Sequence, residues 1–260
     1  MKPELNEAVL LRLCHDAMIT MYGCGAGFTS RAVPGASMVL SGERVADLNY
    51  LIAASSAAGA IDGFSSFVRY CDEQELPFCS IIAASEEDAL KSVCEGHRLV
   101  HATQWPLMVC PGERAEEKPT PGVTVRAVAT AADVTGMCRV LSGAFGMAAE
   151  TIARSMPLEL YDSPSISTCI AECEGEVLSS VTITRHGGVV GVWAMGTLAA
   201  AQGKGIGKAL LSTVMAAERA DGATSFFLGA TPAGLPLYEK LGYATVFSAQ
   251  VWVRGETNQA

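Results

Sequence analysis

An α/β fold built on a mixed α+β sheet is predicted by three features of the sequence. Half of the 260 residues are hydrophobic and 17% are charged, which supplies enough apolar side chains for a packed core. Apolar runs of strand length alternate with segments of helical periodicity. The two halves of the chain share the order of these segments. Together these features predict strands interleaved with helices in both halves.

The first half opens on an amphipathic helix. Acidic residues near its start and a periodic spacing of its apolar residues distinguish this helix from a signal peptide. Strands follow, and the remaining elements are predicted as helix Gly59–Glu75, strand Pro77–Ala83, helix Glu86–Glu95 and strand Leu99–Val109.

A break between the halves is predicted at Cys110–Gly122. This segment holds three prolines and two glycines among charged residues, with hydrophobic runs on both sides. Proline lacks a backbone N–H and restricts the backbone, so the segment is a linker or a long loop. We therefore predict an N-terminal domain at 1–112, a linker at 113–122 and a C-terminal domain at 123–260.

The second half repeats the alternation of strands and helices. Its predicted elements are strand Val123–Val128, helices within Ala131–Met156, strands Ser165–Cys173, Val177–Arg185 and Val189–Leu198, helix Gly205–Arg219, strand Thr224–Ala230, helix Ala233–Leu241 and strand Ala244–Arg254.

A shift of 146 positions aligns the two halves. Gly205 falls on Gly59, each at the start of a helix, and Thr231 falls on Ser85, each after a strand. The identity between the halves is low. A tandem repeat is therefore a hypothesis, with coincidence or an unrelated first domain as its alternatives.

Charge and cysteine content limit the location and partners of the protein. A net charge of −9 and a pI of about 5.0 exclude the broad basic face of a general nucleic-acid-binding domain. No run of 18 apolar residues is present, so no membrane partner is predicted. Nine cysteines without a C-x-x-C pair indicate reduced thiols. We expect a cytoplasmic protein without a metal site.

The most informative segment is a glycine-rich loop, Gln202–Lys208, which reads QGKGIGK and follows an apolar strand. A helix starts within it, with Ile206, Leu210 and Val214 at helical spacing. The N–H groups of a helix N-terminus have no intrahelical partner and carry partial positive charge. Glycines let this backbone approach an anion, and the two lysines add charge. The segment predicts a phosphate or pyrophosphate site.

Two common phosphate motifs do not fit this loop. The dinucleotide fingerprint G-x-G-x-x-G fails because Lys208 occupies the third glycine position. The nucleotide P-loop, G-x-x-x-x-G-K-[ST], fails at its first position, Gln202, and at its last, Ala209.

The pattern Q/R-x-x-G-x-G/A between a strand and a helix does fit. Here the segment resembles the coenzyme A site of the GCN5-related N-acetyltransferase (GNAT) superfamily. A second part of the resemblance is the stretch Tyr238–Tyr243, reading YEKLGY, about 30 residues downstream. The resemblance covers roughly 123–254, which implies a GNAT fold there. Two positions depart from the family pattern: Ala199 replaces a frequent proline and Thr197 a usual valine.

The resemblance implies a set of binding residues for acetyl-CoA as co-substrate. In the family, the strand before the loop is splayed from its neighbour and pairs with the pantetheine arm, and the loop holds the pyrophosphate. The matching positions are Met195, Gly196, Thr197, Gln202, Gly203, Lys204, Gly205, Ile206, Gly207, Lys208 and Thr231. Tyr238 matches the tyrosine near the cofactor sulfur, where it can act as a general acid on the leaving thiolate; a packing role is its alternative.

The implied reaction is direct attack of a primary amine on the thioester. The amine belongs to an unidentified small molecule or protein, and a homodimer is left open. The alternatives are a CoA-binding sensor without catalysis and a transferase for another acyl-CoA. No general base is assigned, because Glu172 and Glu174 are expected in solvent and His186 in a turn. Trp193 is assigned equally to the acceptor site or the core, and Tyr243 to the core.

The first half is expected to be a degenerate copy of the same fold. At the offset of 146, the glycine loop falls on Ser56–Ile61, where one glycine remains and both lysines are lost. Tyr238 falls on Ser92. We therefore predict that the first half does not bind coenzyme A.

Overall fold

The computed structural model describes residues 4–112 and 121–255 of the chain. The helices are α1 Glu7–Tyr22, α2 Ala58–Glu73, α3 Glu87–Gly96, α4 Ala131–Phe145, α5 Ala149–Ser155, α6 Ile206–Ala220 and α7 Leu235–Lys240. The strands are β1 Thr29–Val33, β2 Ala36–Leu40, β3 Asn49–Ala53, β4 Phe78–Ile82, β5 Val100–Pro111, β6 Thr124–Ala127, β7 Ile166–Cys173, β8 Glu176–His186, β9 Val189–Thr197, β10 Ser225–Gly229 and β11 Ala244–Arg254. The mixture of helices with parallel and antiparallel strands confirms the predicted fold class. Residues 113–120 of the predicted linker lie outside the described residues.

Two compact units divide the chain. Among the described residues, the C-terminal unit comprises 108–112 and 121–244, and the N-terminal unit comprises 4–107 together with 245–255. The division predicted from the sequence, with domains at 1–112 and 123–260, differs in its treatment of the last strand. In the structure β11 pairs antiparallel with β4, from Gln250 opposite Ile82 to Arg254 opposite Phe78, and so joins the N-terminal unit.

The N-terminal unit is a sheet with the strand order β1-β2-β3-β4-β11-β5. Strands β1, β2 and β3 are antiparallel neighbours, and β3 runs parallel to β4. Helix α2 contributes Phe64, Phe67 and Val68 to a core that includes Leu51 and Phe78 of the sheet. Apolar residues of α2 recur at a spacing of three or four positions, which places them on the side that faces the sheet.

The C-terminal unit contains the strand order β6-β7-β8-β9-β10, followed by the end of β5. Strands β6 to β9 are antiparallel neighbours, whereas β9 and β10 run parallel. The turns between β7 and β8 and between β8 and β9 each have two residues with positive φ, Glu174-Gly175 and Gly187-Gly188. Such turns match the twist of antiparallel strands, which explains the two tight hairpins.

Helices α4 and α6 both pack against the strands of this unit. Leu210, Leu211 and Val214 of α6 join the hydrophobic core with residues of β8, β9 and β10. Helix α4 starts at a capping box, in which Thr130 accepts a bond from the Asp133 N–H and the Asp133 carboxylate accepts one from the Thr130 N–H. Helix α4 lies against the end of β9, where a Cβ atom at Gly196 would be 2.9 Å from Ala144 Cβ.

Candidate functional site

A β-bulge distorts β9 just before the predicted site. Trp193 of β9 faces Thr182 of β8, but the next aligned pair is Gly196 with Ser180. Two residues of β9, Ala194 and Met195, therefore stand opposite a single residue of β8. Ala194 adopts a φ of +43°, which is uncommon for a residue with a side chain. A bulge bends its strand and increases the local twist, so it redirects the end of β9.

The end of β9 diverges from its parallel neighbour, β10. In the described chain their paired residues run only from Val189 opposite Ser225 to Gly191 opposite Phe227, although β9 continues to Thr197. Beyond Gly191 the side of β9 that faced β10 therefore offers main-chain N–H and C=O groups without a strand partner there. An extended ligand can bind such a strand as an added strand would. Met195, Gly196 and Thr197, predicted from the sequence, all lie in this stretch.

The glycine loop connects β9 to α6 in the predicted manner. The side-chain amide of Gln202 donates a hydrogen bond to the carbonyl of Thr197, with an Nε2–O distance of 3.1 Å. Gly203 and Gly205 have φ values of +74° and +80°, a region that favours glycine. Gln202 thus ties the loop back to the strand, and the two glycines turn the chain into the helix.

The N-terminus of α6 is open to an anion. Its N-cap residue is Gly205, and no side chain of the described residues caps the helix. The first turn contains no acidic residue, and Lys204 and Lys208 beside it are exposed. The side chain of Ile206 is buried in the core, so this residue offers its N–H group alone. The local charge is positive, as an anion site requires.

Gly207 brings α6 close to the end of β9. A Cβ atom at this position would lie 2.8 Å from Thr197 Oγ1 and 3.4 Å from Met195 Cε. Thr197 Oγ1 is itself fixed by a hydrogen bond of 2.8 Å to Ser179 Oγ, which also donates to the carbonyl of Gly196 at 2.7 Å. Ser179 was not predicted from the sequence, because a serine on a strand carries no distinguishing signal.

Tyr238 lies on α7, which follows β10. Its side chain is buried, and its ring lies against Gly234, where a Cβ atom would be 2.7 Å from Tyr238 Cε2. Thr231 Oγ1 accepts a hydrogen bond of 3.2 Å from the Gly234 N–H and so shapes the turn before α7. Tyr238 packs edge-on against Tyr243 and shares one hydrophobic cluster with Met195. Burial raises the pKa of Tyr238 to about 12, which keeps the phenol protonated.

Other residues considered in the sequence take structural positions. Trp193 is buried, donates from Nε1 to Thr184 Oγ1 at 2.9 Å and packs edge-on against Phe227. The carboxylate of Glu172 forms an ion pair of 2.7 Å with Arg126. His186 Nε2 lies 3.0 Å from Thr184 Oγ1. None of these contacts identifies a general base.

The corresponding region of the N-terminal unit is closed. Strands β3 and β4 stay paired to their ends, from Tyr50 opposite Cys79 to Ala53 opposite Ile82, so no divergence like that of β9 and β10 occurs between them. Before α2, the carboxylate of Glu86 accepts a hydrogen bond of 3.2 Å from the Ser56 N–H. The Glu86 carboxylate thus binds a backbone N–H just before α2. At the corresponding place in the C-terminal unit, the start of α6 has no such acidic partner among the described residues and is positively charged.

In the described residues, 4–112 and 121–255, no helix has both the length and the apolar character needed to cross a membrane. They also contain no cluster of three or more histidine, cysteine or acidic side chains arranged to hold a metal ion.

Comparison with known proteins gives a consistent result for the fold. The family model described as "Acetyltransferase (GNAT) domain" matches residues 164–245, which include β9, the glycine loop and α7. Comparison with curated protein sequences gives no significant match.

Several solved structures share the fold over nearly the whole chain. A GCN5-related N-acetyltransferase from Kribbella flavida is 18% identical, with a TM-score of 0.71 and 97% of each chain covered. A GCN5-related N-acetyltransferase from Sphaerobacter thermophilus is 17% identical, with a TM-score of 0.61, 85% of this chain and 76% of that chain covered. A tandem GNAT protein from the clavulanic acid biosynthesis pathway is 10% identical, with a TM-score of 0.59 and 97% of each chain covered.

These likenesses extend over both halves, and the family model matches the segment that carries the glycine loop. The N-terminal order of one helix, three strands, a helix, a strand, a helix and a strand is repeated, from α4 onward, in the second half with α5 as an addition. Residues 164–245 therefore match a GNAT acetyltransferase domain, and both halves of the chain share the fold of the solved GNAT structures.

Proposed function

We propose that the C-terminal unit binds acetyl-CoA and transfers its acetyl group to a primary amine. The observation that carries this proposal is the pairing of two features at one point: β9 diverges from β10, and the uncapped, positively charged end of α6 begins directly after it. One feature suits an extended amide-containing arm, and the other suits a pyrophosphate. Acetyl-CoA carries both groups, in that order from its reactive end.

The roles of the residues follow from their positions. Met195, Gly196 and Thr197 would pair through their main chain with the pantetheine arm. The N–H groups of Gly203 to Lys208 would hold the pyrophosphate, with Gln202 fixing the loop. Thr231 would contact the cofactor arm, and its hydroxyl oxygen, which accepts a hydrogen bond from the Gly234 N–H, also positions the turn before α7.

The thioester supplies an activated acyl carbon, so the chain need not provide a nucleophile. The amine nitrogen bonds to the carbonyl carbon, the C–S bond breaks, and the nitrogen gives up a proton to water. Tyr238 keeps its proton because burial raises its pKa to about 12, and it can then donate this proton to the departing thiolate. A main-chain N–H of the divergent part of β9 would stabilise the carbonyl oxygen.

The test is acetyl-CoA turnover by the full chain, read as free thiol released, against polyamines, amino acids, aminoglycosides and peptides with free N-termini. Turnover with one class supports the proposal and identifies the acceptor class. Propionyl-CoA in parallel tests the acyl preference. If calorimetry detects no binding of acetyl-CoA, the proposal is overturned. Tight binding of acetyl-CoA without turnover on any amine would favour a CoA-binding sensor without catalysis.

A further inference from the structure

A cavity in the N-terminal unit is separate from the residues assigned above. Its volume is about 80 Å³ and it is partly open to solvent, so it can take a small group or one end of a larger ligand. It lies on the sheet face that carries the side chains of Tyr50, Cys79 and Val253. The residues that line it are Asp47, Tyr50, Cys79, Ile81, Ala102, Thr103, Trp105, Val251 and Val253.

The charge of this lining is negative. Asp47 is only 6% exposed, and the thiol of Cys79 lies 3.8 Å from its Oδ1 atom. Burial, and then the charge of Asp47, raises the pKa of the Cys79 thiol far above its usual range, so the thiol stays neutral. Lysine, arginine and histidine are absent from the described residues that line the cavity. A cationic ligand is therefore favoured over an anionic one.

Two aromatic side chains form part of the wall. Tyr50 is held by a hydrogen bond from its hydroxyl to the main-chain carbonyl of Asp47 and by a second one with Tyr22. Trp105, on β5, is half-buried and lines the same space. Aromatic faces attract cations, and Ile81 and Val253 add apolar contact area.

We propose that this cavity binds an organic ammonium ion that carries an apolar or aromatic group. The carboxylate of Asp47 would receive the ammonium, because a carboxylate accepts up to about four hydrogen bonds and can add a ligand to the contacts that it already makes. Tyr50 and Trp105 would pack against the carbon skeleton. This binding site goes beyond the proposed acetyl transfer and does not depend on it.

The experiment uses the full chain without acetyl-CoA and three probes with the same phenyl group: 2-phenylethylamine, 2-phenylethanol and 3-phenylpropanoate. Binding is measured by calorimetry and by tryptophan fluorescence. The amine is expected to bind at least about tenfold more tightly than the alcohol, and the carboxylate more weakly still. Equal affinities for the amine and the alcohol would overturn the proposal.

Two variants locate the site. Asp47→Asn should remove the preference for the amine, whereas Asp62→Asn, at an exposed position on α2, should leave it unchanged. If Asp47→Asn does not fold, Trp105→Leu serves instead. This variant should bind the amine about tenfold more weakly and show no change in tryptophan fluorescence on binding. An undiminished preference for the amine in a folded Asp47→Asn variant, or an undiminished affinity for the amine in Trp105→Leu, would place the ligand elsewhere and refute the assignment.

Discussion

Gly207, in the first turn of α6, lies against the hydroxyl of Thr197, the last residue of β9, so closely that a Cβ atom would be 2.8 Å away. The position of the Thr197 hydroxyl is fixed by its hydrogen bond to the hydroxyl of Ser179. The distance between the helix and the strand therefore depends on the absence of a side chain at position 207.

Gly207→Ala should weaken acetyl-CoA binding by about tenfold or more, since the added methyl group pushes α6 from β9. Gly59→Ala is a matched control: Gly59 is likewise the second residue of its helix, α2, and a Cβ atom there meets nothing within 4 Å. Gly59→Ala should bind acetyl-CoA with unchanged affinity and be slightly more stable than the unsubstituted protein. Calorimetry and thermal unfolding measure both effects. Equal affinity in the two variants would show that this contact does not shape the site.

Gly205→Asp and Gly205→Asn separate backbone strain from charge at the start of α6. Gly205 has a φ of +80°, and aspartate and asparagine tolerate this region better than other residues with side chains. Their shapes are nearly the same, so the charge is the main difference. Gly205→Asp should bind acetyl-CoA about 10 to 100 times more weakly than Gly205→Asn, because a carboxylate repels the pyrophosphate. Similar affinities would argue against an anion site at this helix end.

Substitutions at Ala194 test the bulge of β9. Ala194→Gly should preserve the bulge and relieve the cost of a positive φ, which is about 1–2 kcal/mol. Ala194→Val should straighten or unfold this part of β9, because a β-branched residue is strongly disfavoured there. We expect acetyl-CoA binding to persist in the glycine variant and to fall sharply in the valine variant, as measured by calorimetry. Retained binding in a folded valine variant would show that the bulge is dispensable.

Tyr238→Phe should lower kcat by about 100-fold while acetyl-CoA affinity stays within a factor of two. Among the described residues the Tyr238 hydroxyl has no hydrogen-bond partner, so its removal should cost little stability. Tyr243→Phe is the control, since that hydroxyl donates a weak hydrogen bond of 3.6 Å to Met215 Sδ. Unchanged turnover in Tyr238→Phe would exclude the phenol from the reaction.

The raised pKa of Tyr238 also predicts the pH dependence of turnover. A phenol with a pKa of about 12 remains a proton donor throughout the range in which enzymes are usually assayed, so it should produce no fall in kcat up to about pH 10. A fall in kcat near pH 9 to 10 that is absent from Tyr238→Phe would mean that the phenol ionises more easily than its burial implies.

The glycine loop and α6 could be predicted from the sequence because their signals are local: three glycines, two lysines and a helical apolar pattern within about 20 residues. The bulge could not, because an alanine such as Ala194 gives no indication of a positive φ. Ser179 was missed because its role comes from β9, which lies across the sheet. The position of β11 was missed because strand pairing over more than 160 residues leaves no mark in either segment, and Arg254 faces Phe78 only in the folded chain.

The placement of β11 has a consequence for biosynthesis. In the N-terminal unit β11 lies between β4 and β5, so this sheet lacks an interior strand until the ribosome has made residues 245–254. During translation β4 and β5 would expose unpaired backbone edges, which are prone to wrong pairing. The half that is made first is therefore expected to be completed last, and expression of residues 1–112 alone should give an aggregation-prone fragment.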